Sequence, residues 1–417
     1  MTDVDSSILA QVRDWFGDAL PERLGVAVSG GGDSVALLHI LTRCFGENGP
    51  EIHAVTVDHG LRAESADEAA MVARMAGALS VPHDTLCWEG WDGAGNLQDQ
   101  ARRARYRLLS RWARSSGIEM LALAHTADDQ AETVLMRLGR AAGVDGLSGI
   151  PERRIEGGVT FVRPLLGVTR QALRAYLVRN AIEWVEDPSN RDDRFDRIRA
   201  RRALEALQPL GITVTALADV ARHMAQARAA LDWYSFLAAR DVARLDAGDV
   251  LLDRRGFRIL PEEVARRLLA RVVRWVAGGE YPPRRAPLAA AIDAVRHGRR
   301  VTLAGCVVGG DAVSARVCRE YAAVRDTRCA AGGIWDGRWR LNGPDPQGCE
   351  IRALGRGGLD ACPSWRETGR PAECLIATPS VWRGDELIAA PVAGWSGQWR
   401  AETMQGDEEF FASFLSH

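Results

Sequence analysis

The sequence predicts an α/β fold, a doubly wound parallel sheet, followed by a helical domain and a small mixed or β-rich C-terminal module. Three observations carry this. An apolar run, Leu24 to Val28, opens into Ser29-Gly30-Gly31-Gly32-Asp33-Ser34 and then into Val35-Ala36-Leu37-Leu38-His39-Ile40-Leu41, which reads as strand, glycine loop and helix. Strand-like and helix-like runs keep alternating to residue 205, the signature of βαβ units. Beyond Gln208-Pro209-Leu210-Gly211 the alternation stops and apolar residues recur at steps of three or four.

The elements follow in order. Ile52 to Val57 is β-rich, Ala66 to Leu79 has a helical Ala/Met/Val pattern, and His83 to Cys87 is a short strand. Leu97 to Ser115 reads as helix, Glu119 to Ala124 as strand, Ala127 to Arg140 as helix, Val159 to Val162 as strand and Thr169 to Asn180 as helix. After the break, Val214, Leu217, Val220, Met224, Ala227, Leu231, Tyr234 and Leu237 mark one long amphipathic helix, and Leu260 to Trp275 repeats its pattern. Val301 to Gly305 and Ala312 to Val317 flank Gly309-Gly310-Asp311 and read as a hairpin. The stretch 327–358 is rich in Gly, Arg and Asp, and Cys374 to Thr378 and Glu386 to Ala390 are short strand candidates. The tail, with Asp407, Glu408 and Glu409 before Phe410, Phe411 and Phe414, fits a docking helix or a frayed end equally. Expected domains are 1–205, 206–326 and 327–417.

A length of 417 residues suits two to three such domains. The 53 basic residues, all arginine, nearly balance 55 acidic ones, so any polyanionic partner must be met by a local patch. The absence of lysine excludes a Walker-type phosphate lysine, a pyridoxal Schiff base and a lysine general base. Eight cysteines never reach a Cys-x-x-Cys spacing, which excludes a readable zinc ribbon or thioredoxin-like pair. No signal core or membrane span is legible, and a cytoplasmic location is the expectation.

Three glycines between a buried strand and a helix present backbone N–H groups to a phosphate, with the helix dipole adding positive charge. Ser29, Gly30, Gly31, Gly32, Asp33 and Ser34 form this candidate phosphate-binding loop; Asp33 is a candidate Mg²⁺ ligand, or simply a helix cap. Asp129 and Glu132, three apart near a helix start, can together receive a cationic amine. The bland alternative is a cap, Thr126-x-x-Asp129. His125, Asp58 and His59 stand at strand ends, where α/β sheets bind ligands; His125 reads on sequence alone as a core residue before a nucleotide contact, and Asp58 and His59, equally at home in a turn, are not taken as catalytic. Arg102, Arg103, Arg105, Arg107, Arg111 and Arg114 crowd one helix, a phosphate-facing surface or a solvated one. Twelve arginines against four acids over 254–300, with Trp275, Tyr281 and His297 between them, suit an RNA backbone, and Arg266, Arg267, Arg271 and Arg274 are its candidate RNA contacts.

Ser-Gly-Gly-Gly-Asp-Ser after the first strand resembles the loop of the PP-loop ATP pyrophosphatase superfamily. Further blocks resemble the tRNA(Ile)-lysidine synthetase family within it: Val57-Asp58-His59-Gly60-Leu61-Arg62, Asn96 and Gln98 ahead of Ala101-Arg102 and Arg105-Tyr106, Ala124 to Thr133, Gly146 to Ile150, Arg163-Pro164-Leu165-Leu166 and Glu186-Asp187-Pro188-Ser189-Asn190. They span residues 24–202 in the family's order; Pro363 to Arg366 and Val381-Trp382 resemble its C-terminal module more faintly. One departure stands out: a match from Phe195 keeps arginines at Arg197 and Arg201 but puts Ile198 where the family writes asparagine, and Arg199 offers a competing alignment. All three are candidate tRNA contacts.

The resemblance implies a cytoplasmic, ATP- and Mg²⁺-dependent ligase. It would adenylate the wobble cytidine of a CAU-anticodon tRNA(Ile) on its C2 oxygen and let the ε-amine of L-lysine displace AMP, forming lysidine. Asp33, Arg102 and Asp129 would be catalytic, and Asp129 and Glu132 would hold lysine. The rivals are a tRNA thiolase, which would need cysteines near the loop, and a non-catalytic nucleotide- or RNA-binding protein. The sequence leaves room for a homodimer.

Overall fold

The computed structural model describes residues 3–17, 20–46, 49–60, 65–88, 97–185, 196–279, 282–344 and 346–415. Leu61, Arg62, Asn96, 186–190, Phe195 and Tyr281 of the motifs and patch above lie outside them. The chain divides into two compact units at Arg228/Ala229.

The first unit begins with a helix absent from the sequence expectations, α1 (Asp3–Phe16). There follow β1 (Arg23–Ala27), α2 (Gly32–Phe45), β2 (Glu51–Asp58), α3 (Ser65–Ala78), β3 (His83–Cys87), α4 (Leu97–Ser115), β4 (Met120–Ala122), α5 (Ala127–Leu138), α6 (Val144–Leu147), β5 (Arg153–Glu156), β6 (Val159–Val162), α7 (Arg170–Arg179) and α8 (Asp196–Leu207). The sheet order is β3-β2-β1-β4-β6-β5, parallel except for β5, which pairs antiparallel with β6 at the edge. Side chains of a strand alternate between faces, so Leu24 and Val26 of β1 join the core under α1, α2 and α7 while Ala27 joins the core under α4. Gly25 keeps α4 close: a Cβ there would meet Trp112 and Ile118 at 3.2 Å. Both faces are covered, as a parallel sheet requires.

Helix α9 (Val214–Val242) is the long amphipathic helix, and the division into units falls within it. The second unit continues with β7 (Ala243–Asp246), β8 (Asp249–Asp253), α10 (Arg254–Ile259), α11 (Glu262–Ala277), α12 (Arg285–His297), β9 (Val301–Leu303), β10 (Cys306–Gly310) and β11 (Ser314–Arg319). These strands form one antiparallel sheet, β7-β8-β11-β10-β9. The expected hairpin is β10 with β11; the expectation took β9 for its first arm and missed β10, because Gly309 and Gly310 read as turn rather than as strand end.

Then come α13 (Tyr321–Val324), β12 (Arg328–Ala330), β13 (Ile334–Trp335), β14 (Trp339–Asn342), β15 (Glu350–Ala353), α14 (Gly355–Asp360), α15 (Ala372–Leu375), β16 (Pro379–Arg383), β17 (Glu386–Ala389), β18 (Arg400–Thr403) and α16 (Asp407–Ala412). Two small sheets, β12-β15-β16-β17 and β13-β14-β18, share a core containing Trp335, Trp339 and Trp399. Cys374 to Thr378 is not a strand. Cys374 and Leu375 end the helical turn α15, and pairing begins only at Pro379; a short buried apolar run has no period that separates the two.

The tail is a docking helix. Phe410 and Phe414 of this tail are buried in the core of the α11–α12 layer, with the Phe410 ring 5.3 Å from that of Trp275. Truncating such a ring leaves a cavity, so Phe410→Ala is expected to lower stability by about 3–5 kcal/mol in a denaturant titration. A loss below 1 kcal/mol would return the tail to a frayed end. No helix among the described residues is long and apolar enough to cross a membrane.

Candidate active site

The chain leaves β1 and turns through the glycine loop into α2. Gly30 takes φ +83°, a left-handed conformation that only glycine adopts without strain. Gly31 caps α2 without a side chain, so the helix N-terminus is left open. Ser34 ties the loop: its hydroxyl donates to Gly31 O at 2.9 Å and accepts from Ser29 N–H at 3.1 Å, with Ser29 Oγ 3.3 Å away. Gly32 faces Trp184, whose ring would lie 3.2 Å from any Cβ added there.

Over this loop lies a cavity of about 330 Å³, at the carboxyl ends of β1 and β4, where the strand order reverses and α/β sheets place their ligands. Arg105, His125, Asp129, Arg170, Trp184 and Arg201 join the loop in its wall. Among the described residues no cysteine lines the cavity, and none there offers the thiol a thiolase reading would need. Arg102 is not in the wall: it is exposed on α4, 5.5 Å from the ring centre of Tyr106, and Arg105 of the same helix takes the cavity position.

At the start of α5 the cap predicted as the bland reading is present. Asp129 Oδ2 accepts from Thr126 N–H at 2.8 Å, and Thr126 Oγ1 accepts in return from Asp129 N–H. The other oxygen, Oδ1, faces Arg170 at 3.4 Å and Arg197 at 3.8 Å. One residue thus caps the helix with one oxygen and faces cations with the other. Glu132 stands one turn on, its side chain 1% exposed; Oε1 accepts from Arg201 at 2.5 Å and from Arg170 at 3.5 Å, while Oε2 has no hydrogen-bond partner. Glu132 is not itself in the cavity wall.

Sequence reasoning missed Arg170. It opens α7, whose backbone is pinned when Arg170 N–H donates to Asp128 Oδ2 at 2.7 Å. Its three guanidinium nitrogens each face a different carboxylate: Nε to Asp33 at 3.1 Å, Nη2 to Asp129 and Nη1 to Glu132. A signal existed, because the first turn of α7 holds no acid. A cation is unfavourable at the positive end of a helix dipole, so an arginine there needs carboxylates from elsewhere.

Burial raises the pKa of Asp33 against the lowering effect of Arg170, and likewise raises that of Glu132 against Arg201. For Asp129 the burial penalty is outweighed, chiefly by Arg170, and the carboxyl is held below the usual range. Burial pushes His125 down to about 3, so its imidazole is neutral, and its Nδ1 is buried with no hydrogen-bond partner. A nitrogen left so in a cavity wall is a place for a ligand. Asp58 makes a turn, accepting from Gly60 N–H at 2.8 Å.

The three candidate arginines of α8 separate by helical geometry. Arg197 and Arg201, four apart, point at the acids, whereas Arg199 pairs with Asp196 at the exposed side. Arg201 is thus engaged closely with a carboxylate, while Arg197, its side chain 46% exposed, faces Asp129 only at 3.8 Å. In the second unit Arg267 is corrected: its side chain is 8% exposed, bonded to Asp232 at 2.8 Å and Glu263 at 2.9 Å, which removes it from any RNA-facing surface. Arg266 pairs with Glu263 at 2.6 Å and Arg271 lies 5.9 Å from the Phe414 ring centre. Arg274, half-buried, sits in the last turn of α11, where the helix dipole favours a cation.

Residues 4–207 match the PP-loop domain family. Over its whole length the chain is similar to the tRNA(Ile)-lysidine synthase of Ruegeria pomeroyi, 58% identical over 410 residues and 98% of each chain. The synthase of Wolbachia pipientis is 32% identical across 90% of both chains. That of Methylobacterium nodulans is 44% identical over 65% of this chain and 80% of its own.

Proposed function

Because the chain belongs to the tRNA(Ile)-lysidine synthase family, we propose that the cavity over the glycine loop is where it joins L-lysine to C2 of the wobble cytidine in a CAU-anticodon tRNA(Ile), using ATP. The observation that carries this is the meeting of the two halves of such a reaction at one guanidinium: in the cavity wall an open helix N-terminus for phosphate and Asp129 for an amine, with Glu132 behind the wall and within reach of the same Arg170.

The cytidine O2 attacks the α-phosphorus, an O–P bond forms and pyrophosphate leaves; the lysine ε-amine then forms the C2–N bond and AMP leaves. The loop N–H groups and the N-terminus of α2 take the charge of the departing pyrophosphate. Arg105, in the wall, would stabilise the same charge, and Arg102, outside the wall one turn earlier on α4, remains the candidate the resemblance names. Asp33 is an oxygen donor of the kind a hard divalent cation takes, and Mg²⁺ held there would neutralise phosphate charge. Asp129 and Glu132 orient the amine, which attacks as the free base; Glu132 Oε2, without a partner, is the oxygen able to accept its proton. The neutral His125 offers Nδ1 to the nucleotide.

Incubation with ATP, labelled L-lysine and transcribed tRNA(Ile) is the test, and label entering the RNA is expected. Its absence, with the protein folded and ATP turning over, would overturn the reading. The tRNA itself is expected to bind through exposed arginines of the second unit, with affinity falling steeply as salt rises. Arg267→Gln is then expected to leave the salt slope of filter binding unchanged while lowering stability by about 3 kcal/mol, since it takes the guanidinium away from the buried Asp232 carboxylate. A flattened slope would restore Arg267 as a phosphate contact.

A further inference from the structure

Resting on the reading that Asp129 and Glu132 receive lysine's ammonium, we infer that Arg170 is a placeholder cation: it occupies the amine subsite until nucleotide binds, and so couples lysine entry to ATP. Three features of the site lead there. The acids cannot take an incoming ammonium while the guanidinium lies across both, at 3.4 Å from Asp129 and 3.5 Å from Glu132. The third nitrogen rests on Asp33, which belongs to the phosphate loop, so a single side chain spans the nucleotide and amine subsites. Among the basic partners of these acids, Arg201 is held tightly on Glu132 at 2.5 Å, whereas Arg170 is spread over three carboxylates at 3.1–3.5 Å, none of them an optimal pair.

The chemistry of release follows. A polyphosphate seated at the open N-terminus of α2, beside Asp33, offers the guanidinium a bidentate anion with more charge than any one carboxylate. Arg170 has no capping or dipole interaction to hold it back, since a cation at the first position of α7 faces the positive helix end. Its departure toward phosphate leaves Asp129 Oδ1 and Glu132 Oε1 short of one cation, and the lysine ammonium supplies it. The substitution also bears on selectivity. The subsite is already proportioned to a cation, so a neutral amino acid would leave the vacated carboxylates uncompensated in a buried setting. Lysine could not serve as the placeholder, because a point ammonium does not address three carboxylates at once as a planar fork does.

Coupling of this kind is reciprocal. In equilibrium dialysis of the full chain, radiolabelled L-lysine is expected to bind wild type about tenfold or more tightly with α,β-methylene-ATP and Mg²⁺ than without, and lysine to tighten the analogue by the same factor. Arg170→Gln is expected to bind lysine without nucleotide at least as tightly as nucleotide-bound wild type does, and to lose the coupling. Arg170→Lys, which keeps a charge on the same helix, is expected to fall between, and it carries the test if the glutamine variant does not fold. A merely structural ion pair would give the opposite result, weaker lysine binding in both variants with coupling retained, and that overturns the placeholder. Nucleotide-independent lysine binding by wild type overturns it too while leaving the amine subsite standing. Failure of wild type to bind lysine in any state, together with no label in tRNA, overturns the ligase reading and this proposal with it.

Discussion

Asp33→Ala is expected to reduce lysine incorporation by on the order of 10²–10³-fold or more while tRNA affinity stays within about threefold. Asp33 lies in the first turn of α2, on the wall of the cavity, and holds Arg170 Nε at 3.1 Å. Its removal takes away the only glycine-loop carboxylate able to hold a divalent cation, and leaves the guanidinium of Arg170 on Asp129 and Glu132 alone. The phosphate and amine subsites then fail together, by loss of charge neutralisation on one side and of coupling on the other. The expected tRNA contacts are arginines and the substitution changes none of them, so tRNA affinity has no reason to fall. Label transfer and filter binding on the same preparation measure both quantities. Asp33→Asn separates them further, because it keeps the shape and removes only the charge. Turnover near that of wild type in Asp33→Ala would mean that the loop does not act on ATP as assigned.

The first unit was legible because its signals are local. Strand and helix periods, the glycine loop and the spacing of Asp129 from Glu132 are all written within a few residues, and the helix Leu97–Ser115 and the strand His83–Cys87 appear where their patterns end. What sequence spacing could not supply is the partner from far away. Arg170 reaches Asp33 across 137 positions, and Arg201 reaches Glu132 across 69, pairings created by topology alone. The same limit misread Arg267. On a helical wheel it belongs to a basic patch, yet Asp232, 35 residues earlier, buries it. The edge strand β5 was missed for another reason: its residues Arg153 to Glu156 are mostly polar, and an edge strand with a solvated side has no need of the apolar run that marked the inner strands. In the tail, charged and aromatic residues in succession gave no period long enough to distinguish a docked helix from a loose end, and only the burial of Phe410 and Phe414 decides it.

Glu132→Gln is expected to raise the Michaelis constant for lysine by about 10–100-fold and that for ATP by no more than about threefold, a loss of the size measured when one partner of a charge-assisted bond is made neutral. The substitution is isosteric, so α5 keeps its packing, and the cap between Thr126 and Asp129 does not involve this side chain. What changes is charge. Oε1 now compensates Arg201 and Arg170, and in the ligand-bound state it faces the ammonium; an amide does neither well, and its NH₂ group points a donor at cations. Some stability is lost for the same reason, because Arg201 keeps its charge in a half-buried place without its carboxylate. That loss lowers the folded fraction and leaves the Michaelis constants of the folded enzyme alone, so a purely structural role would not move the lysine constant. A selective shift in the lysine constant isolates the amine contact. If lysine dependence is unchanged while the melting temperature falls, the acidic pair is a helix cap and an internal ion pair, and lysine must be held by other residues of the cavity wall.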